Sequence, residues 1–477
     1  MTRHRPFRRA LLPALLMSAF VTPLQAADLL TITQDALDNN AELASTRSQT
    51  RSVEAGRDVE RADLLPQLNG TANATHNRQF ETQRGAGAVA GSSTAGDDNY
   101  NTVRLSLEAT QALFDARNAR EVERAERQID QQVYQLAATE QQVLIDVSSA
   151  YFEILRAYEV LEARRAQERA IGRQLEQARE QFEVGLIAIT EVEEAKAAFD
   201  QARAIRIAAE SDLQVRFEVL ERLTGQRYAS IDALGESVPI DPPTPNDRAD
   251  WVALAMDNNP LMLASEAGVA VSRSDVDIAR AQNLPTLNAF ANYQYDESDS
   301  DVVEGHNSVS QIGLRASMPL YTGGRTQASI RRNTYRLEAS QYDFEAQRRD
   351  TVQQVRSRFT QVSNDVSTVE ARAQAIVSNQ SALDATRAGY EVGTRNIVDV
   401  LNAEQNLYNA VADHASARYD YVINLLSLRQ QSGTLDVPAV EEVNAWLDGG
   451  SVSFTLPEER DPANAAMQIG APPQPQG

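Results

Sequence analysis

Gln181-Phe-Glu-Val-Gly-Leu-Ile-Ala-Ile-Thr-Glu-Val192 is answered 208 residues later by Gly389-Tyr-Glu-Val-Gly-Thr-Arg-Asn-Ile-Val-Asp-Val400. The shift aligns Gly185 with Gly393, Phe182 with Tyr390, Ile189 with Ile397 and Ala195 with Ala403, and it still holds at Thr224-Gly225 and Ser432-Gly433. Nearer the start of each copy the shift is 219, pairing Asp38-Asn39-Asn40 with Asp257-Asn258-Asn259 and Leu65-Pro66 with Leu284-Pro285. A length difference in one loop between two strands accounts for the change. The chain is one supersecondary plan written twice.

Working outward, each copy opens with a helical pattern, Ile32 to about Arg61 and Trp251 to about Ala281, which Pro66 and Pro285 end. Alternation follows. Leu287, Ala289, Ala291, Tyr293 and Tyr295 share one face, and Ile312, Leu314, Ala316 and Met318 alternate with Gly313, Arg315 and Ser317. In the first copy Leu68 to Phe80 pairs with Tyr100 to Leu113, with Val103, Leu105 and Leu107 marking the apolar face. Strands of about ten residues with one apolar and one polar face suit a membrane barrel. Alone they suit a soluble antiparallel sheet equally well. The connecting stretches Glu81–Asn99 and Asp296–Asn307 are polar, Gly-rich or acidic, as expected of loops on the far side of a membrane. Four strands cannot enclose a lumen, whereas three chains would supply twelve and leave no free edge.

From about Asp115 to Thr224 and from about Arg325 to Gln431 the period becomes helical, with Val143, Val147, Ala150, Ile154, Ala157 and Leu161 in 3,4 spacing. At about 1.5 Å per residue, ascending helices of roughly 65 residues reach about 100 Å. Many seam positions are Ala, and Arg164, Glu168 and Arg372 interrupt the ladder. A curved helix wall with a wet inner face accommodates both, and a plain periplasmic coiled coil remains the alternative for the helices alone.

Composition sets bounds on the rest. The chain has 477 residues, 6% aromatic, with a formal charge of −22 and no cysteine. Residues 1–26 read as an export signal, with Arg3, Arg5, Arg8 and Arg9 before an apolar run and a cleavage site at Leu24-Gln25-Ala26, so the mature chain is more acidic still. That charge disfavours nucleic acid. No later segment approaches 20 apolar residues, leaving strands as the only way to cross a bilayer. His4, His76, His306 and His414 have no partners at metal-ligand spacing, and Gly323-Gly324 lacks a following Lys-Ser/Thr, so neither an enzyme nor a cofactor is expected. A soluble periplasmic adaptor or scaffold is the competing non-enzyme class.

Several segments resemble the TolC family of outer-membrane channel-tunnels: Leu64-Leu-Pro-Gln-Leu, Ala150-Tyr-Phe-Glu-Ile-Leu, Met318-Pro-Leu-Tyr-Thr-Gly-Gly, Ala417-Arg-Tyr-Asp-Tyr-Val-Ile-Asn and, with most specificity, the stretches around Gly185 and Gly393. The resemblance runs to about Thr434. It implies an α+β membrane protein of the Gram-negative outer membrane, a homotrimer whose twelve-stranded antiparallel barrel continues as a twelve-helix tunnel into the periplasm. Its plan here is a tunnel helix at 27–63, barrel strands and loop at 64–114, a long helix and coiled-coil hairpin at 115–225, and an equatorial linker at 226–250. The second repeat follows with a helix at 251–282, strands at 283–321 and a hairpin at 322–433, then an equatorial segment and partly disordered tail at 434–477. The implied partners are outer-membrane lipid, a periplasmic adaptor (membrane fusion) protein, and an inner-membrane transporter of RND, ABC or MFS type. The implied function is an exit duct for drugs or proteins, gated at its periplasmic end.

The resemblance assigns Gly185 and Gly393 to hairpin tips that meet the adaptor, and Thr190, Glu191, Tyr390 and Arg395 to polar links that hold the gate shut. Glu191 stands where the best-known member has aspartate, so an Arg395–Glu191 link would run through one extra methylene. Asp399 matches an aspartate that forms a three-fold ring at the constriction. Asn402 stands where that member has a second aspartate ring, which implies cation preference with weaker block by multivalent cations.

Overall fold

A computed structural model of the chain describes residues 26–79, 98–235, 238–299 and 304–453. The expected signal segment, most of the first extracellular loop and the end of the C-terminal tail lie outside the described residues.

The first repeat runs α1 (Leu29–Asn39), α2 (Ala41–Ala62), β1 (Gln67–Gln79), β2 (Asp98–Phe114), α3 (Ala116–Glu183) and α4 (Ile189–Thr224), followed by β3 (Ser230–Leu234). The second runs α5 (Arg248–Asn258), α6 (Pro260–Ala281), β4 (Thr286–Asp299), β5 (Glu304–Ser317), α7 (Arg325–Glu391) and α8 (Ile397–Gln431), followed by α9 (Val437–Asn444) and β6 (Leu447–Ser453).

The opening helix of each repeat, expected as one piece, is two. Asn40 and Asn259 take extended conformations and cap the helices that follow: Asn40 Oδ1 accepts from the Glu42 and Leu43 amides at 3.0 and 3.1 Å, and Asn259 Oδ1 accepts from Met262 N at 3.0 Å. Each side-chain amide also donates to the end of a distant helix, Asn40 to Leu223 O at 3.2 Å and Asn259 to Gln431 O at 2.9 Å. α2 and α4, and likewise α6 and α8, are thereby joined end to end. Gly433 seals the second joint: its φ is +75°, and a Cβ there would lie 2.3 Å from Asn258 O.

β1, β2, β4 and β5 form one antiparallel sheet in that order. Register decides what alternation left open, because directly opposed residues share a face. Ala72, Leu105 and Tyr295 stand in one row, and Gly70, Leu107 and Tyr293 in the next. Ala291 with Ile312 and Ala289 with Leu314 extend the same face across β5. Leu68, Leu105, Leu107, Ile312 and Leu314 are all exposed, so the apolar face is continuous and nothing among the described residues covers it. The opposite face carries Asn73, Arg104, Glu108, Asn292 and Arg315, with Arg104 bonded to Asp296 at 2.6 Å. Among the described residues no helix is long and apolar enough to cross a membrane.

Below the sheet the helices stand side by side as α2–α3–α6–α7, and lower still as α4–α3–α8–α7. α3 and α7, of 68 and 67 residues, span both levels, each about 100 Å long. Alanines fill the lower seams, Ala170, Ala178, Ala195 and Ala202 among them, and let backbones approach closely. The charges that break the ladder find partners across it: Arg164 reaches Asn409 at 2.7 Å, Glu168 reaches Arg206 at 2.7 Å and Arg372 reaches Asp413 at 2.8 Å.

The large core side chains gather at mid-height, where Tyr151, Phe152, Leu161, Leu220 and Tyr419 are almost wholly buried. Each apolar side chain of this size contributes about 1.5–3 kcal/mol of burial. β3 pairs with β6 over this core, and α9 packs its Val440 and Val443 into it. Tyr151 donates to Asp232 O at 2.7 Å and Tyr421 to Asp241 O at 2.8 Å, tying the inter-repeat segment to α3 and α8. Of the tail expected to be in part disordered, residues 437–453 form this helix and strand.

Candidate functional site

The lower end of the wall holds every residue singled out for the entrance. α3 turns into α4 through Val184–Ala188 and α7 into α8 through Val392–Asn396. Gly185 and Gly393 both have φ +76°, with nothing near where a Cβ would stand. Leu186 N returns to Gln181 O at 2.8 Å, as Thr394 N does to Gly389 O at 2.9 Å. The left-handed glycine thus closes each helix by satisfying its last carbonyls, in the same way twice.

Beyond the glycines the two tips differ. In the first, Leu186 and Ile189 are exposed, and Ala188, the residue before α4, makes no side-chain cap. In the second, Asn396 and Asp399 form a reciprocal capping box: Asp399 N donates to Asn396 Oδ1 at 2.8 Å, and Asn396 N to Asp399 Oδ2 at 3.4 Å. Arg395 folds back over Gly389, whose missing Cβ would sit 2.8 Å from the Arg395 Cγ. Its guanidinium lies 3.8 Å from Asp399, so the carboxylate assigned to the constriction is engaged by its own helix end and a neighbouring cation.

Tyr390 lies where two small apolar clusters meet, one of Leu175, Val192 and Ile397, the other of Leu383, Val400 and Leu407. Its hydroxyl donates to Gln181 Oε1 at 2.8 Å. Burial raises the Tyr390 hydroxyl above its ordinary range, and the negative charge of Glu191 adds to that, which places Glu191 in its electrostatic neighbourhood. Thr190 is exposed in the first turn of α4. Within one chain Arg395 pairs with Asp399, while Tyr390 bonds to Gln181; neither bonds to Thr190 or Glu191. Asn402 is exposed beside a cleft of about 280 Å³ lined by the amides of Gln167, Gln201 and Gln405 together with the carboxylate of Glu194.

One residue here went unremarked in the sequence. Glu404 is 0% exposed, between α8, α7 and α3. Arg387 donates to its Oε1 at 2.6 Å and Gln174 to the same oxygen at 3.3 Å, while Oε2 and the Arg387 Nε have no hydrogen-bond partner among the described residues. The available signal was position: Glu404 falls among the apolar slots Ile397, Val400, Leu401 and Leu407 of α8. Among the described residues no cluster of His, Cys, Asp and Glu could hold a metal ion.

This geometry has known counterparts. The sequence profile described as outer membrane efflux protein matches twice, at residues 32–226 and 251–434, once per repeat. Outer membrane protein TolC of Vibrio cholerae serotype O1 is 33% identical over 446 residues, covering 92% of this chain and 99% of that protein. The Escherichia coli K12 protein of the same name is 32% identical, covering 96% and 92%. The alkaline protease secretion protein AprF of Pseudomonas aeruginosa is 30% identical, covering 86% and 85%. Among solved structures, CusC superposes with a TM-score of 0.74 at 18% identity over 90% of this chain and 99% of that one. The Campylobacter jejuni CmeC outer membrane channel gives 0.72 at 16% identity, covering 94% and 98%. The chain belongs to the outer membrane efflux protein family, as a channel protein of the outer membrane and not as an enzyme.

Proposed function

We propose that three copies of the chain close into one duct, a twelve-stranded barrel in the outer membrane continued by a twelve-helix tunnel through the periplasm, and that drugs or proteins leave through it. The observation that carries this reading is the four-stranded sheet. Among the described residues its apolar face is uncovered from β1 to β5, its two outer strands have no partner on their free edges, and its other face is polar. Such a sheet is stable in a bilayer only when its edges are joined to others. Cargo arrives from an inner-membrane transporter of RND, ABC or MFS type with a periplasmic adaptor, which meets the tips around Gly185 and Gly393. The relative named for protease secretion supports protein cargo, and the family description supports efflux.

The entrance is the gate. Around the three-fold axis Asp399 supplies a ring of three carboxylates, while Asn402 leaves the next ring neutral, giving cation preference with weak multivalent block. Thr190, Glu191, Tyr390 and Arg395 link neighbouring coils through partly solvated contacts of about 0–1 kcal/mol each, weak enough to open. The test is to purify the mature protein in detergent, measure its mass, and record it in planar bilayers. A conducting trimer whose cation preference falls in Asp399→Ala is the expected result. A protein that needs no detergent sinks the duct, and unchanged selectivity in Asp399→Ala removes that residue from the constriction.

A further inference from the structure

A cleft of about 870 Å³ lies where the sheet meets the helices, walled by the starts of α3 and α7 and by the turn from α6 into β4. Register fixes its side of the sheet. Thr286 and Ser317, both in its lining, oppose each other two residues from the Asn288–Arg315 pair, so they share the polar face. The cleft is the foot of that face, and in the three-copy duct proposed above it opens into the lumen.

Its charge is opposite to that of the chain. Arg117, Arg325 and Arg332 line it against a single acid, Asp115. That carboxylate is turned to its own helix, accepting from the Arg117 and Asn118 amides at 2.9 and 3.1 Å. Arg117 holds Glu121 at 2.9 Å while 55% of its side chain stays exposed. Arg325 and Arg332 are exposed and make no side-chain hydrogen bond or ion pair among the described residues. Two turns of α7 separate them, so they share one stripe about 10 Å long. Residues 325–337 add Arg331 and Arg336 and contain no acid, in a chain with 67 acids and 45 bases. Arg332 and Arg336, four residues apart, are a like-charge pair that weakens an isolated helix. Folding alone does not call for this stripe.

We propose that the cleft is an anion-binding station inside the duct, taking small molecules with several anionic oxygens, as phosphate, sulfonate or carboxylate groups, on their way from tunnel to barrel. Guanidinium forks meet such oxygens in paired hydrogen bonds. Three arginines per chain become nine in three copies, and the walls of a narrow passage concentrate their field. The inference rests on the three-copy reading and adds a class of cargo to it. The duct then carries two stations of opposite sign, carboxylates from Asp399 near the tips and guanidinium groups below the barrel.

Inorganic tripolyphosphate is the probe, used with the full mature chain. Titration calorimetry in detergent reads binding without conduction. The parent should bind, more weakly as salt rises, and the Arg325→Gln/Arg332→Gln double variant should bind about tenfold more weakly or worse. Arg325→Lys/Arg332→Lys keeps both charges and should recover part of the loss, which separates charge from a loosened helix. In planar bilayers tripolyphosphate should reduce the current through the parent, with the half-blocking concentration raised by the same factor in the glutamine variant.

No binding by the parent, equal binding by parent and glutamine variant, or a lysine variant no better than the glutamine one overturns the station while leaving the duct intact. Binding in detergent with no effect on the current of a conducting trimer places the cleft outside the passage and overturns it too. Arginine-dependent binding by a protein that forms no conducting trimer overturns the duct and leaves the anion site standing.

Discussion

Replacing Arg387 with methionine leaves the Glu404 carboxylate fully buried with one remaining hydrogen bond, from Gln174 at 3.3 Å. Stranding one member of a buried ion pair costs about 3–5 kcal/mol. The reverse change is milder, because the Arg387 side chain is 40% exposed and its guanidinium can turn to water once Glu404 is leucine. Glu404→Leu is therefore expected within about 1 kcal/mol of the parent, and the double variant close to it, since replacing a whole buried pair by apolar groups is often neutral. Amide hydrogen exchange along α8 near Val400–Leu407, in the assembled protein, reads the difference locally. A deficit of about 3 kcal/mol appears as roughly hundredfold faster exchange in Arg387→Met. Equal exchange in the two single variants, or a double variant as loose as Arg387→Met, would refute the reasoning.

Gly433→Ala should cost more than about 2 kcal/mol, since φ +75° and the Asn258 carbonyl 2.3 Å from the new Cβ both resist it; Gly185→Ala, with the same kind of φ and open space, should cost about 1 kcal/mol. Thermal inactivation of the two variants side by side checks the order. Burial alone would raise the Asp28 carboxyl, but hydrogen bonds from Thr31 and Asn444 outweigh it and hold the group below its ordinary 3.8. Its stabilisation is therefore complete well above that value and lost as pH falls through the lower folded one, so proteolysis around β6 should rise on acidification and do so less in Asp28→Asn.

The repeat made the hairpins, the strand pairs and the long helices legible, because Gly185 with Gly393 and Pro66 with Pro285 mark chain reversals and helix ends by local stereochemistry. What escaped depends on residues far apart in the chain. Asp38-Asn39-Asn40 and Asp257-Asn258-Asn259 were visible as a repeated triplet, yet the break after each needs a carbonyl that arrives much later, from Leu223 or Gln431. The common apolar face was legible strand by strand and became continuous only through the β2–β4 register, which joins the two repeats. Glu404 drew no notice in the sequence because its partner, Arg387, is brought beside it by α7 only in the fold. Arg395 was expected opposite Glu191, and within one chain it stands by Asp399, four residues along its own helix end.

The end-to-end joints at Asn40 and Asn259 give the wall two kinds of column. α3 and α7 run unbroken from sheet to tip, so deflecting their lower ends means bending a rod with every backbone hydrogen bond in place. α4 and α8 meet the helices above them through a side-chain amide, where no continuous backbone ladder has to bend. Stiffness therefore alternates along the wall of helices. A force applied at the mouth is absorbed first by the jointed struts, at the height of the mid-wall core, while the rigid ones hold the membrane end in shape.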